Sequence, residues 1–214
     1  MQSERRVPRL RVASSPPVAP LSAIAGALFL VYAFTKGPLT TTIVVFGWQF
    51  AGLSPEATAL VVHVAESVPL AVMAMGLALL WRRAGTRGPL ATAGYSVAVA
   101  GFGLTVLSHV FEHLLEPVTV PGLTGGENWL IWGYYLSWMT LYVGLAMYGA
   151  ALGRTESTSW WVPGLFVGSL PAVVVVGFAV VFFDLFTLAG TFRVVQGATW
   201  LLVGGWLWRG TSAR

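Results

Sequence analysis

Residues 90–115 read LATAGYSVAVAGFGLTVLSHVFEHLL. From Leu90 to Leu107 the stretch carries no charge. A helix needs about 20 mainly apolar residues to cross a bilayer, so this run reads as a membrane-crossing helix. Its end is unusual. His109, Glu112 and His113 crowd into five positions, where each ionisable group is costly to bury.

Four more runs of spanning length lie at 56–81, 128–152, 161–187 and 191–208. A further segment, 21–53, is broken by Lys36-Gly37-Pro38, and each half is short for a crossing. The composition agrees with a membrane protein. The chain has 214 residues, 56% hydrophobic and 9% charged, where a soluble domain carries roughly 25% charged residues. Its mean hydropathy is +0.76. The basic residues form no aromatic-interleaved patch, so the high pI does not point to nucleic acid. The chain has no cysteine, which excludes disulfides, thiolate ligands and a cysteine nucleophile.

Charge decides the number of crossings. Arg5, Arg6, Arg9 and Arg11 precede the first segment. Arg82, Arg83 and Arg87 follow the second, Arg154 the fourth, and Arg209 and Arg214 the last. If 21–53 crosses once, all of these fall on the cytoplasmic side. The expected fold class is therefore all-α: a bundle of six transmembrane helices with both termini cytoplasmic, in a multi-pass cell-membrane protein. Residues 1–20 form a basic cytoplasmic tail, 21–208 the membrane domain and 209–214 a short cytoplasmic tail. Residues 39–53 lie along the outer surface or dip back in. Lys36 and Arg193 are the basic exceptions at the outer face. Ser54-Pro55-Glu56 is a helix start. Pro69 should kink the second crossing, because it cannot bond to the Ala65 carbonyl. The glycines of GYSVAVAGFG should let neighbouring backbones approach closely.

The chain has three histidines, His63, His109 and His113, and the carboxylates within crossings are Glu66, Glu112 and Asp184. Helix two enters from outside and helix three leaves there. His63 and His109 are each roughly 10 Å from the outer end. His63 and Glu66 are spaced i, i+3. His109, Glu112 and His113 are spaced i, i+3, i+4. Each set shares one helix face. Two antiparallel neighbours thus carry polar stripes at one level of the outer leaflet.

Four chemistries suit such stripes. The first is a transition-metal site for zinc, copper or iron. His63, His109 and His113 would supply imidazoles, Glu66 and Asp184 the carboxylates, and either carboxylate would orient a ligand imidazole. Glu112 would be the general base of a metal-dependent reaction. The second is a b-type haem held by paired histidines, as in a membrane cytochrome subunit. The flanking carboxylates argue against it, since a haem pocket is largely apolar. The third is a proton path, which stops midway because the inner halves offer almost no ionisable group. The fourth is a structural lock, in which Glu or His pairs with Lys36 or Arg193 in an accessory subunit. Asp184 and Arg193, flanking the turn TLAGT, suit a plain salt bridge. The leading expectation is a metal-dependent membrane enzyme, or a metal-handling or redox subunit. Its partners would be the lipid bilayer and other membrane subunits, with no nucleic acid. Tyr134, Tyr135 and Trp138 read as belt and packing residues, and Met73 and Met75 as filler on different faces. Gln196 and Gln49 are polar groups that spacing does not assign.

Overall fold

The computed structural model describes residues 18–35, 55–115, 126–155, 158–183 and 188–212. Within the helices, side chains are not described at 34–35, 55–65, 109–115, 126–132, 134, 176–183, 188–191 and 210–212. Six helices make up the described chain: α1 (Val18–Thr35), α2 (Pro55–Ala84), α3 (Pro89–Leu115), α4 (Gly126–Leu152), α5 (Trp161–Phe183) and α6 (Leu188–Ser212). They match the expected runs closely. α1 is described as far as Thr35; Lys36-Gly37-Pro38 and the stretch 39–53, expected to lie along the outer surface or dip back in, lie outside the described residues. α1 begins at Val18 and α6 continues to Ser212. Helical hydrogen bonding thus runs past the purely apolar stretches at both ends.

Each helix packs on its chain neighbours, and α1 packs on α6 to close the ring. The tightest pairs are α3 with α4 and α1 with α6. Both are built on glycine. A Cβ on Gly94 would strike the backbone at Tyr148, one on Gly101 the backbone of Leu141, and one on Gly144 the backbone of Ala98. Gly26 and Gly204 make the same approach to Leu201 and Ala23 in the α1/α6 pair, and Gly197 lies against Leu30. Bare Cα positions let main chains meet across a wide contact, which is how helices associate when apolar surroundings weaken the hydrophobic drive. Thr105 Oγ1 reaches Ser137 Oγ at 3.3 Å along the first of these seams.

Large side chains fill the ring. Trp138, Trp200, Tyr142, Tyr148, Phe29 and Phe166 are among the largest fully buried groups. Trp200 of α6 lies 6.2 Å from Phe102 of α3 and 5.9 Å from Phe166 of α5. Phe29 of α1 stacks on Trp138 of α4 at 6.0 Å. Opposite sides of the ring therefore touch through aromatic rings. Met73 is buried and Met75 exposed, so the two do face different ways.

The described outer surface carries many aliphatic side chains. α1 exposes Leu21, Ile24, Leu28 and Val31, and every other helix exposes large aliphatics as well. The stretches Glu66–Ala84 and Pro89–Ser108 are long and apolar enough to cross a membrane.

The glycine seams predict sharply different substitutions. Gly144→Leu should cost about 3 kcal/mol through overpacking against α3. Gly103→Ala, where a Cβ meets nothing within 4 Å, should gain about 0.5–1 kcal/mol. Thermal unfolding of the purified variants, followed by circular dichroism, checks both signs.

Candidate functional site

Of the expected site residues, the structure gives a described environment to Glu66. The helices that carry His63, His109, Glu112 and His113 are described, but those four side chains are not, and Asp184 lies outside the described residues. The backbone still fixes their levels. His63 and His109 are both roughly 30 Å along their helices from the Ala84–Pro89 connection. Glu66 is one turn nearer that connection than His63. Among the described residues, no three His, Asp or Glu side chains gather around one point.

Glu66 is buried and forms an ion pair with Arg193 of α6. Arg193 Nη2 stands 2.5 Å from Glu66 Oε1, and the two side chains are 7% and 1% exposed. The sequence reading placed Arg193 at the outer end of the sixth run and offered it Asp184 or a carboxylate of the stripe as partner. It lies in the second turn of α6, points into the bundle and pairs with the stripe carboxylate Glu66, while Asp184 lies outside the described residues. α2 and α6 run parallel, because Arg83 Nη1 donates to the Leu207 carbonyl at 3.0 Å at their other end. Parallel helices place Glu66 and Arg193 at one level, so this pairing needs no distortion of either helix.

Neighbouring aromatics hold the arginine. Its guanidinium lies 5.4 Å above the Tyr32 ring of α1, a cation–π contact worth about 2 kcal/mol when desolvated. The preceding residue, Phe192, is clamped by α4. Its ring stacks on Trp138 at 5.6 Å and 3° and lies 6.0 Å from Tyr142. The Tyr142 hydroxyl donates to the Phe192 carbonyl at 2.6 Å. Four helices thus converge on one buried charge pair. Trp138 is a packing residue, as its sequence position suggested.

Gln196 lies one helical turn beyond Arg193 on the same face of α6. It is fully buried, and neither its Nε2 nor its Oε1 has a hydrogen-bond partner. Trp200 Nε1, a further turn along, is likewise buried without a partner. Arg193 and Gln196 repeat the i, i+3 spacing of His63 and Glu66. That repetition was the available signal that α6 shares the polar site. Tyr32 and Tyr142 gave no such signal, because an aromatic in an apolar run looks the same whether it packs or positions a charge.

No protein-family model matches this chain, and no curated protein or solved structure is significantly similar to it.

Breaking the pair should cost more than removing it. Glu66→Gln removes a buried carboxylate charge that faces Arg193 and should destabilise by about 3–5 kcal/mol. The double variant Glu66→Leu/Arg193→Met should recover most of that loss. A double-mutant cycle on unfolding free energies measures the difference. Gln196→Leu removes two unpartnered polar atoms at similar volume and should stabilise by about 1–3 kcal/mol.

Proposed function

We propose that this chain is an integral membrane protein of six crossings, with both termini cytoplasmic, that holds a transition-metal ion in the outer half of its bundle. One observation carries the reading. A desolvated Glu66–Arg193 pair sits inside a bundle whose exterior is aliphatic, at the depth where the sequence concentrates all three histidines. An intramembrane ionisable cluster marks a functional site more often than a packing device.

The charge distribution supports the topology. Arg82, Arg83 and Arg87 end α2, Arg154 follows α4 and Arg209 ends α6. Alternating helix directions bring all of them to one end, as the positive-inside bias requires. The apolar faces of Leu21, Ile24, Leu28 and Val31 suit hydrocarbon rather than water.

In this reading His63, His109 and His113 are the ligands, and the donor set suits zinc, copper or iron. Glu66 then acts from one step away. Arg193 holds its carboxylate in place, and a carboxylate one turn from His63 orients a ligand imidazole. A bound ion there supplies Lewis acidity. Glu112, on the helix turn between His109 and His113, is the residue to accept a proton. The ion pair itself favours a second reading, in which Glu66 and Arg193 only lock α2 to α6 in an accessory subunit and no metal binds.

Elemental mass spectrometry on detergent-purified protein separates the two. The metal reading expects near-stoichiometric zinc, copper or iron, absent from His109→Ala, with affinity reduced about 10–100-fold in Glu66→Gln. Iron accompanied by a visible absorption band would identify haem instead. Folded protein without metal would leave the structural lock. The topology has its own check, since the chain has no cysteine. Single cysteines replacing Arg87 or Arg154 should be labelled by a membrane-impermeant thiol reagent only in inverted vesicles, and one replacing Gly122 only in right-side-out vesicles.

A further inference from the structure

The end of the bundle opposite the ion pair has its own unmatched chemistry. Arg82, Arg83, Arg87, Arg154 and Arg209 are all exposed there. Among the described residues, Arg82, Arg87, Arg154 and Arg209 make no ion pair. In the sequence, Glu4 and Glu156 are the only carboxylates in the tails and connections assigned to this side. Exposed Trp160 (85%) and Trp208 (53%) flank the arginines.

Two threonines set this end apart from a simple basic rim. Thr86, between Arg83 and Arg87 in the α2–α3 connection, is 8% exposed, and Thr158, in the α4–α5 connection, is 9% exposed. Both hydroxyls are buried without a hydrogen-bond partner. An aromatic cluster holds the two connections to one end of the bundle. Trp81 stacks on Tyr95 at 4.6 Å, Tyr148 lies 5.8 Å from Trp81, and Phe166 lies 6.4 Å from Tyr148. Rings from α2, α3, α4 and α5 therefore meet just beneath the two connections. The chain reverses through Gly85 and Gly88, at φ 60° and 154°. Gly88 accepts the first-turn bond from the Thr92 nitrogen at 2.9 Å. It has no side chain to cap α3, so the free N–H groups and positive dipole end of that helix face the same region.

We propose that this end binds the phosphate headgroup of an anionic phospholipid between the α2–α3 and α4–α5 connections. Arg87 and Arg154 supply the charge, and the Thr86 and Thr158 hydroxyls supply neutral donors. Trp160 seats its ring at the level of the headgroups. A phosphate diester has two charged non-bridging oxygens, each able to accept more than one hydrogen bond, and the negative charge that complements the arginines. Its acyl chains lie along the aliphatic exterior. The proposal rests on the membrane reading above.

The full chain is purified in a neutral detergent, and its unfolding temperature is followed on adding phosphatidylglycerol, phosphatidylcholine or inorganic phosphate. Native mass spectrometry counts retained lipid in parallel. Phosphatidylglycerol should raise the unfolding temperature by about 5 °C at saturation, and the other two should leave it unchanged. Each of Arg87→Ala and Arg154→Ala should lower lipid retention roughly fivefold. Thr86→Val should lower retention without lowering the lipid-free unfolding temperature, which a purely diffuse charge effect would not do. Equal shifts with phosphatidylcholine, full retention in the arginine variants, or a matching shift with inorganic phosphate would each overturn the proposal. A chain that stays soluble without detergent overturns the membrane reading instead, so the two failures are distinguishable.

Discussion

Close approach of main chains at two glycine seams is the constraint on which the rest depends. Gly94, Gly101 and Gly144 fuse α3 to α4, and Gly26, Gly197 and Gly204 fuse α1 to α6. The bundle is thus two tight pairs with α2 and α5 set between them. The seams also decide where large side chains go. With small residues in contact along each pair, large rings meet across the interior: Trp138 of α4 on Phe29 of α1 and Phe192 of α6, and Trp200 of α6 on Phe102 of α3. Interlocked rings then fix the separation of the pairs. Arg193 inherits its position from this frame: α6 is held by its seam to α1, and Phe192 is stacked on α4.

The Glu66–Arg193 pair is a poor candidate for a stabilising device. Desolvating two charges costs several kcal/mol per ion, and well-packed apolar residues of similar volume often serve stability as well or better. Gln196, beside it on α6, adds two buried polar atoms without partners, a further expense for the fold. Two features that oppose stability on one helix face, at the level of three histidines, form a local departure from the otherwise consistent packing. Such departures belong to function more readily than to folding.

The architecture was legible because its physics is periodic or additive. Run length gave the helices, and glycines in GYSVAVAGFG announced a close seam. The partner of Arg193 was not legible to the same degree. Its nearest carboxylate along the chain is Asp184, while Glu66 is more than a hundred residues away in sequence. Only the ring closure of α1 onto α6, with α2 alongside, brings Glu66 within reach. The sequence placed Arg193 at the mouth because it begins an apolar run. The structure starts the helix earlier, at Leu188, and thereby carries the guanidinium into the core. Thr86 and Thr158 were invisible for a different reason. Hydroxyls in connecting segments are ordinarily solvated, and burial without a partner is a property of the packed end alone.

α2 ties these observations together. It is fastened to α6 twice, through Arg83 to the Leu207 carbonyl at one end and through Glu66 to Arg193 toward the other. Between the ties lies Pro69, around which the helix continues. Proline has no N–H to give the Ala65 carbonyl, so the bond missing from α2 begins at the residue just before Glu66. The turn bearing the carboxylate is therefore the least restrained part of α2 by its own backbone, and the ion pair restrains it from outside. At the other end the Arg83 guanidinium holds α2 to α6 through the Leu207 carbonyl. The ion pair thus ties to α6 the turn of α2 that its own backbone restrains least.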